Sequence, residues 1–366
     1  MKQSVRRIIS CMLSAALLSL FASCGPVPAD EDFEAIVAAV TETNHFGDVF
    51  LDIDDIDLEY GDSVNISCSN GYEADAIPYY PDFFGSHDTT VLSDLFGSLC
   101  LGQPADNLNE TACIAPGDTI TITLDGRGKY KQLYDAYNID TGMEQREGQS
   151  DSDFLNARPL DQGEIREDYV YRGASPFSRK YGRVALMGAY LEEHGIAYIL
   201  DLADSPEKIL ADEADYPEYT KALIDNGQVK AIHLGLDFSS AESMAALRDG
   251  LVSLSRAEGP YFIQCSLGRD RTGFVCALLE ALCGADYNEI IDDYMKSYDD
   301  LHDIDMDPDS LQYQLFLERL YDMFERFIGL GRDEIKTADL RSAARDYLIR
   351  CKMTEDEIDR LIRSIT

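Results

Sequence analysis

Two segments in the first third of the chain alternate between apolar and polar residues at every second position. They lie at residues 64–68 and 119–124, and turn residues flank the second one. Strict alternation of this kind is typical of a β-strand with one buried face and one exposed face. The pattern predicts a small β-rich domain over residues 46–140, preceded by a tether at residues 24–45.

From about residue 166 the pattern changes to apolar runs that alternate with segments of helical periodicity. The apolar runs are residues 197–202, 229–234 and 261–264, and the helical segments are residues 180–194, 240–257 and 273–284. This order predicts βαβ units and a mainly parallel central sheet flanked by helices. We therefore expect an α/β domain over residues 160–366, all helical after residue 285. Residues 140–165 are polar, and we interpret them as a linker.

The first 23 residues have the pattern of a bacterial lipoprotein signal peptide. Basic residues precede an apolar stretch at residues 8–21, which is short for a membrane span. Small residues then lead to Cys24, which would be lipidated and become the first mature residue. Cleavage of an ordinary secretory signal near Ala22 or Ser23 is the alternative. We expect a secreted protein anchored on the outer side of the bacterial cytoplasmic membrane, touching that membrane only through its lipid.

The charge balance narrows the possible partners. The chain has 31 basic and 68 acidic residues, a net charge of −37. Such a surface repels nucleic acid and anionic membranes, so we expect neither as a partner. Any phosphate site must be a local positive pocket. His87, His194 and His233 are scattered and show no metal-ligand spacing, so no metal site is predicted.

One loop carries the candidate chemistry. The apolar run at residues 261–264 leads into seven residues that begin with Cys265 and end with Arg271, and a helical segment follows at once. Backbone amides of such a loop, together with the positive end of the helix dipole, can bind one oxyanion. The same field favours the thiolate of Cys265, which is the nucleophilic form. Gly268 permits a backbone conformation that a side chain would resist.

Each residue of the loop has an expected role. Arg271 would hold two phosphoryl oxygens, Asp270 would protonate the leaving group, and Thr272 would donate a hydrogen bond to the thiolate. The remaining loop residues would bind substrate, and they are Ser266, Leu267, Gly268 and Arg269. Two candidates lie outside the loop. Asp237 could replace Asp270 as the acid, although a solvated loop carboxylate is the favoured interpretation. Arg172 could contact substrate or form a structural ion pair.

At these residues the chain resembles the cysteine-based protein tyrosine phosphatases, and especially a bacterial tyrosine/serine phosphatase family. That family's signature reads His-Cys-x-x-Gly-Lys-Asp-Arg-Thr-Gly, and the segment here is Gln264-Cys265-Ser266-Leu267-Gly268-Arg269-Asp270-Arg271-Thr272-Gly273. The likeness extends to residues 170–175, 195–202, 344–348 and 354–365. The resemblance implies a phosphotyrosine-phosphatase-like α/β fold, no metal or cofactor, and the loop Asp, here Asp270, as general acid.

The sequence departs from that signature at two positions. Gln264 replaces the usual His, which puts the tuning of the thiol in doubt, and Arg269 replaces Lys, which keeps the charge but changes the shape. The resulting prediction is a phosphatase that acts on a phosphorylated protein, chiefly phosphotyrosine, or on a small phosphate ester. A phosphoinositide or small-molecule phosphatase and an inactive phospho-ligand-binding pseudophosphatase remain the alternatives.

Overall fold

The computed structural model describes residues 33–366 except residues 45–46, 54–55, 82–89, 96–97, 104–106, 140–141 and 213–214. The predicted signal peptide and its Cys24 lie outside the described residues. The chain divides into two units, Met1–Asn138 and Ile139–Thr366. Within the described residues, no helix is both long and apolar enough to cross a membrane.

The N-terminal unit is a closed β-barrel. Its strands are β1 (Ile36–Thr43), β2 (Val49–Leu51), β3 (Ser63–Cys68), β4 (Glu73–Tyr80), β5 (Val91–Leu95), β6 (Ser98–Gly102) and β7 (Thr119–Gly126). They follow one another around the barrel as β1-β2-β6-β5-β4-β3-β7, and β7 pairs with β1. Only the β4–β5 pair is parallel among these strands. Two helices, α1 (Leu108–Ala112) and α2 (Lys131–Tyr137), complete the unit.

The alternation in the sequence explains the barrel interior. Val64, Ile66, Ile120 and Ile122 are buried in one apolar cluster, while residues between them on the strands are more exposed. Successive side chains of a strand point to opposite faces, so the apolar set fills the barrel.

The predicted tether at residues 24–45 is wrong in its second half. Ile36–Thr43 forms β1, which pairs with β7 on one side and β2 on the other. Ala38 and Val40 are buried, whereas Val37 and Ala39 are exposed although they are apolar. A strand rich in Ala and Thr carries too little hydrophobic contrast to be separated from a linker by pattern alone.

The C-terminal unit is built around a five-stranded sheet. Its strands are β8 (Arg158–Pro159), β9 (Val170–Ala174), β10 (Tyr198–Asp201), β11 (Val229–Ala231) and β12 (Tyr261–Cys265). The order is β11-β10-β12-β9-β8, in which the first four strands are parallel and β8 is antiparallel to β9. Strands β9, β10 and β12 are buried along their whole length, as expected of parallel strands covered on both faces.

Helices surround this sheet and fill the rest of the unit. They are α3 (Asp151–Phe154), α4 (Val184–Glu193), α5 (Pro206–Ala211), α6 (Glu218–Asp225), α7 (Ala241–Leu254), α8 (Asp270–Leu282), α9 (Tyr287–His302), α10 (Leu311–Met323), α11 (Arg332–Ile335), α12 (Leu340–Arg350) and α13 (Glu355–Ile365). Helix α8 is buried from Thr272 onwards, whereas α13 is amphipathic and begins with a capping box formed by Thr354 and Glu357.

The predicted linker at residues 140–165 is also wrong. This segment contains α3 and β8, and both belong to the C-terminal unit. Its polar residues are ordered by specific contacts: Arg146 donates to the carbonyl of Leu301 at 2.9 Å, and Ser150 caps α3. Composition therefore suggested a solvated segment where the chain is in fact folded onto the sheet.

Candidate active site

The sheet places Cys265 at the centre of one edge. Cys265 is the last residue of β12, the middle strand, and is only 3% exposed. The neighbouring parallel strands end at Ala174 and Asp201, which pair with Cys265 and Gln264. Ligands of open α/β sheets bind at the carboxyl ends of parallel strands. The thiol therefore lies where the fold itself favours a ligand site.

The loop after Cys265 turns three successive carbonyl groups outwards. The acceptor–donor pairs are Ser266 with the amide of Ser175 (3.4 Å), Leu267 with Nδ2 of Asn156 (3.0 Å) and Gly268 with Nη2 of Arg172 (2.9 Å). In a trans peptide the C=O and the following N–H point in opposite directions, so the amides of Leu267 and Arg269 face away from these outer partners, whereas the amide of Gly268 donates to the carbonyl of Cys265. Inward amides and the N-terminus of α8 together form a cradle for one anion.

Gly268 makes this turn possible. Its φ is +69°, and a Cβ atom there would lie 2.3 Å from the carbonyl carbon of Gly173. Its amide also makes a long bond of 3.3 Å to the carbonyl of Cys265, which closes the turn. Both the left-handed backbone and the close approach require glycine, as the sequence predicted.

Arg271 reaches back over the cradle from the first turn of α8. Its Nη1 donates to the carbonyl of Leu234 and its Nη2 to Oγ of Ser266, each at 3.4 Å. Hydrogen bonds this long are weak, so the guanidinium group of Arg271 is positioned by them but has no strong hydrogen bond to either partner. Such a fork can bind two oxygens of a phosphoryl group.

Thr272 follows Arg271 and is fully buried. Its hydroxyl has no hydrogen-bond partner among the described residues. Buried hydroxyl groups are normally paired. A role for this hydroxyl towards the thiolate of Cys265 stays a prediction.

Asp270 is held by Arg269 in an ion pair of 3.1 Å, and its side chain is 38% exposed. Burial works to raise the pKa of Asp270, but the charge of Arg269 outweighs it and the pKa is lowered. Arg269 also contacts Nε2 of His302 at 2.6 Å and lies over the ring of Tyr298. In this arrangement Asp270 is ionised at neutral pH, and it needs a change in its surroundings before it can donate a proton.

Arg172 supports the loop through a hydrogen bond to one of its carbonyl groups. It is fully buried, donates to the Gly268 carbonyl and to Oγ of Ser297 at 3.0 Å, and forms an ion pair with Asp293. Asp293 also binds Arg158 at 2.8 Å. Burial works to raise the pKa of Asp293, but the two arginines outweigh it and lower the pKa. Arg172 thus forms the structural ion pair that was one of its two interpretations, and a contact of Arg172 with substrate stays a prediction.

Gln264 lies across from Asp201 in the sheet, next to the nucleophile. Its amide is close enough to favour the charged form of Asp201, yet neither amide atom completes a hydrogen bond of normal geometry. Oδ1 of Asp201 accepts from the amides of Ala203 and Asp204, at 2.7 and 3.1 Å. Burial, and then the charge of Asp204, raises the pKa of Asp201 to about 7.

Asp237, the alternative acid, lies in the loop that follows β11. It is exposed, and its Oδ1 accepts from the amide and the hydroxyl of Ser239 at 3.0 and 2.6 Å. The same loop supplies the Leu234 carbonyl that binds Arg271. Asp237 is therefore on the correct edge of the sheet, and its role as an acid stays a prediction.

The sequence indicated the loop but missed the residues that support it from outside. These are Asn156, Arg158, Asp293, Ser297 and His302. The first two fell in the segment interpreted as a linker. The others lie on α9, and there a signal was available. Asp293, Ser297 and Asp300 recur at helical spacing on one face, and all three are buried.

The chain was compared with solved structures and with curated proteins. Among solved structures, the chain is similar to the core catalytic domain of PP-IP phosphatase SIW14 from S. cerevisiae, determined in complex with citrate. The two are 18% identical with a TM-score of 0.27, over 48% of this chain and 91% of that chain. A likeness at this TM-score carries no argument about fold or function. No curated protein matches the chain significantly.

The family comparison is decisive. A model described as the tyrosine phosphatase family matches residues 153–366, which is more than half of the chain. The match includes Cys265, the cradle and Arg271, and it begins before Asn156, inside the segment first interpreted as a linker. The chain belongs to the tyrosine phosphatase family.

Proposed function

We propose that the chain hydrolyses phosphomonoesters through a phosphocysteine intermediate at Cys265, with protein phosphotyrosine as the first substrate class to test. The outward carbonyls of residues 266–268 carry this proposal. They turn loop amides to the side opposite these outer partners, the loop begins with a buried thiol, and Arg271 donates to Oγ of Ser266 in the same loop. An anion cradle beside a nucleophile suits in-line transfer of a phosphoryl group.

In the first step the thiolate of Cys265 attacks phosphorus. An S–P bond forms as the bond from phosphorus to the leaving oxygen breaks, and that oxygen takes a proton from the carboxylic acid of Asp270. The loop amides and Arg271 bind the equatorial oxygens, where charge is spread in the transition state.

In the second step water attacks phosphorus and the P–S bond breaks. The carboxylate of Asp270 now accepts a proton from the water, and inorganic phosphate leaves. Thr272 donates a hydrogen bond to the departing thiolate, which regenerates the nucleophile.

Asp270 can act as an acid only if substrate raises its pKa. Arg269 lowers that pKa in the ion pair. A phosphate dianion bound nearby partly neutralises the positive charge of Arg269 and repels the carboxylate of Asp270. Both effects raise the pKa of Asp270. We expect kcat to fall as pH rises through the pKa of Asp270 in the substrate complex.

The decisive experiment compares two aryl phosphates with good and poor leaving groups, p-nitrophenyl phosphate and phenyl phosphate. Cys265→Ser should lower kcat on both by at least about a thousandfold. Asp270→Asn should lower kcat by about 10²-fold on phenyl phosphate and much less on p-nitrophenyl phosphate, because a good leaving group needs little protonation. Asp237→Asn is the matched control. If Asp237→Asn shows the leaving-group effect instead, the acid is assigned to the wrong loop.

Two other functions make different predictions in this assay. A phospho-ligand binder would bind vanadate and turn over neither ester, and the replacement of His by Gln264 is the observation that favours it. A phosphatase for small, multiply phosphorylated molecules would prefer them to phosphotyrosine peptides. Arg269, which lies in the loop and adds positive charge beside Arg271, favours this second candidate.

We also propose that Cys24 is lipidated and anchors the protein on the outer face of the cytoplasmic membrane. The apolar stretch followed by small residues and a cysteine supports it. In cells that express the full chain, Cys24→Ser should move the protein from the membrane fraction to the soluble fraction. Recovery of the variant in the membrane fraction would count against the anchor.

A further inference from the structure

Glu280 is a buried acid that the reaction as described does not use. It lies on α8, the helix that follows the catalytic loop, and none of its surface is exposed. Among the described residues, no hydrogen bond of normal geometry reaches either oxygen of its carboxyl group. A buried carboxylate without a donor is far less stable than its neutral acid. This environment therefore favours the protonated form of Glu280, and a protonated carboxyl group needs an acceptor.

The face of α8 that carries Glu280 is turned towards the residues that support the cradle. Gly273 lies seven residues earlier, two turns away on the same face. A Cβ atom on Gly273 would lie 2.8 Å from the Tyr294 ring and 3.8 Å from Nη2 of Arg172. Two turns further along, Glu280 interacts electrostatically with Arg172 and with Asp293, the neighbour of Tyr294 on α9.

The groups around Glu280 separate its proton affinity from that of Asp293. The titratable and charged groups that interact with Glu280 come from α9, β9, β8 and α8 itself, and they are Asp293, Arg172, Arg158, Cys276 and Cys283. Burial raises the pKa of Glu280 well above its usual range and the charge of Asp293 adds to this, although the two arginines oppose it. At Asp293 the same arginines outweigh burial and lower the pKa. Of these two neighbouring carboxyl groups, Glu280 therefore binds a proton more tightly.

We propose that the protonated carboxyl group of Glu280 donates a hydrogen bond to the carboxylate of Asp293, which makes Glu280 a positioning residue for the cradle. This inference rests on the proposed phosphatase function. Its effect passes through the ion pair of Asp293 with Arg172 and the 2.9 Å hydrogen bond from Arg172 to the Gly268 carbonyl. A donor on Asp293 besides its two arginines fixes the direction of the carboxylate, and therefore the position of Arg172 against the loop.

The test compares Glu280→Gln with Glu280→Leu. Glutamine keeps a donor for Asp293, whereas leucine is of similar size and donates nothing. On phenyl phosphate, Glu280→Leu should lower kcat about tenfold with KM within about twofold, the effect of losing one hydrogen bond to a charged group. Glu280→Gln should keep kcat within about twofold of wild type. The matched control is Leu282→Ala, which removes packing from the same buried end of α8. It should lower the urea midpoint and leave kcat unchanged.

A second measurement detects the proton itself. At pH 8, the infrared difference spectrum between wild type and Glu280→Gln should show the C=O stretching band of a neutral carboxylic acid in wild type alone. A carboxylate band in its place would overturn the inference. So would a normal kcat in Glu280→Leu, or a loss in Glu280→Gln as large as the loss in Glu280→Leu.

Failure of the phosphatase proposal is separable from failure of this inference. Vanadate can bind the cradle as an analogue of the transition state without turnover. Its dissociation constant should rise about tenfold in Glu280→Leu and stay within about twofold of wild type in Glu280→Gln. If wild type hydrolyses nothing but these vanadate differences appear, only the reaction is wrong. If wild type is active and neither kcat nor vanadate binding responds to Glu280→Leu, only the role of Glu280 is wrong. If wild type neither hydrolyses phenyl phosphate nor binds vanadate, both proposals fail.

Discussion

Among single residues, Asp201 is a carboxylic acid that is buried without a positively charged partner at its neighbour Gln264. It is fully buried, its neutral neighbour Gln264 supplies no countercharge, and Asp204 adds repulsion. The family signature has His at the position of Gln264, and an imidazolium there could have balanced a carboxylate. With an amide instead, burial and the charge of Asp204 raise the pKa of Asp201 to about 7, so its carboxyl group keeps a proton at mildly acidic pH.

We expect Asp201 to make stability depend on pH. Its pKa is raised to about 7 in the fold, against about 4 in the unfolded chain. Between these values the folded chain holds a proton that the unfolded chain has lost, so stability falls as pH rises from 4 to 7 and then levels off. Asp201→Asn keeps an acceptor for the amides of Ala203 and Asp204. This substitution should add on the order of 1–3 kcal/mol to the free energy of unfolding at pH 8, and it should make that free energy less dependent on pH.

Urea unfolding of wild type and Asp201→Asn at pH 5 and pH 8 measures this difference. A matched control is Asp249→Asn, because Asp249 has a side chain 66% exposed in a salt bridge with Lys230. The control should not change the slope. An unchanged slope in Asp201→Asn would mean that another group titrates in this window.

Among the elements, α9 matters most to the cradle although it lies outside the loop. Asp293 and Ser297 bind Arg172, which in turn binds the Gly268 carbonyl, and His302 at the end of the helix contacts Arg269. The orientation of the loop amides thus depends on an element that begins some twenty residues later in the chain. Sequence patterns locate the loop but contain no direct record of such long-range pairing.

We expect Asp293→Asn to weaken both fold and catalysis. It leaves Arg158 and Arg172 buried with one countercharge fewer, which should cost about 3–5 kcal/mol. The loosened Arg172 should also lower kcat on phenyl phosphate. Asp292→Asn, at the exposed neighbouring position on α9, is the control and should change neither quantity. Thermal unfolding and steady-state kinetics measure the two effects. A normal kcat in a destabilised Asp293→Asn protein would show that the cradle holds its shape without Arg172.

At the scale of the whole molecule, the sequence predicted the structural class of each of the two units better than the residues at which the units begin and end. Buried runs such as Tyr261–Cys265 are unambiguous because parallel strands are apolar throughout. The predicted boundaries were wrong where polar residues are ordered by specific contacts, as at Asn156 and Arg158. They were also wrong where a strand is rich in Ala and Thr, as in β1. In these places tertiary contacts decide the structure, and local composition does not report them.

We expect the C-terminal unit to fold and act without the barrel. Each unit has an apolar cluster of its own, one formed by residues between Ala38 and Ile122 and one by residues between Leu155 and Phe262. A separate core is the usual condition for independent folding. A chain of residues 139–366 should keep kcat/KM on phenyl phosphate within about twofold and unfold in one transition. A large loss of activity in a cooperatively folded fragment would show that the barrel contributes to the reaction.

The closeness of Gly268 to Gly173 also has a consequence for inheritance. The two positions are far apart in the chain, yet a Cβ atom on Gly268 would overlap the backbone of Gly173. A Cβ atom on Gly173 would in turn come within 2.8 Å of the Phe262 ring and 3.2 Å of Ala157. Gly268 cannot be replaced, because no compensating substitution removes a main chain, whereas a smaller side chain at position 262 could make room for a Cβ atom at Gly173. In a saturation library selected for activity, position 268 should return glycine alone, and position 173 should accept another residue only together with a smaller side chain at position 262.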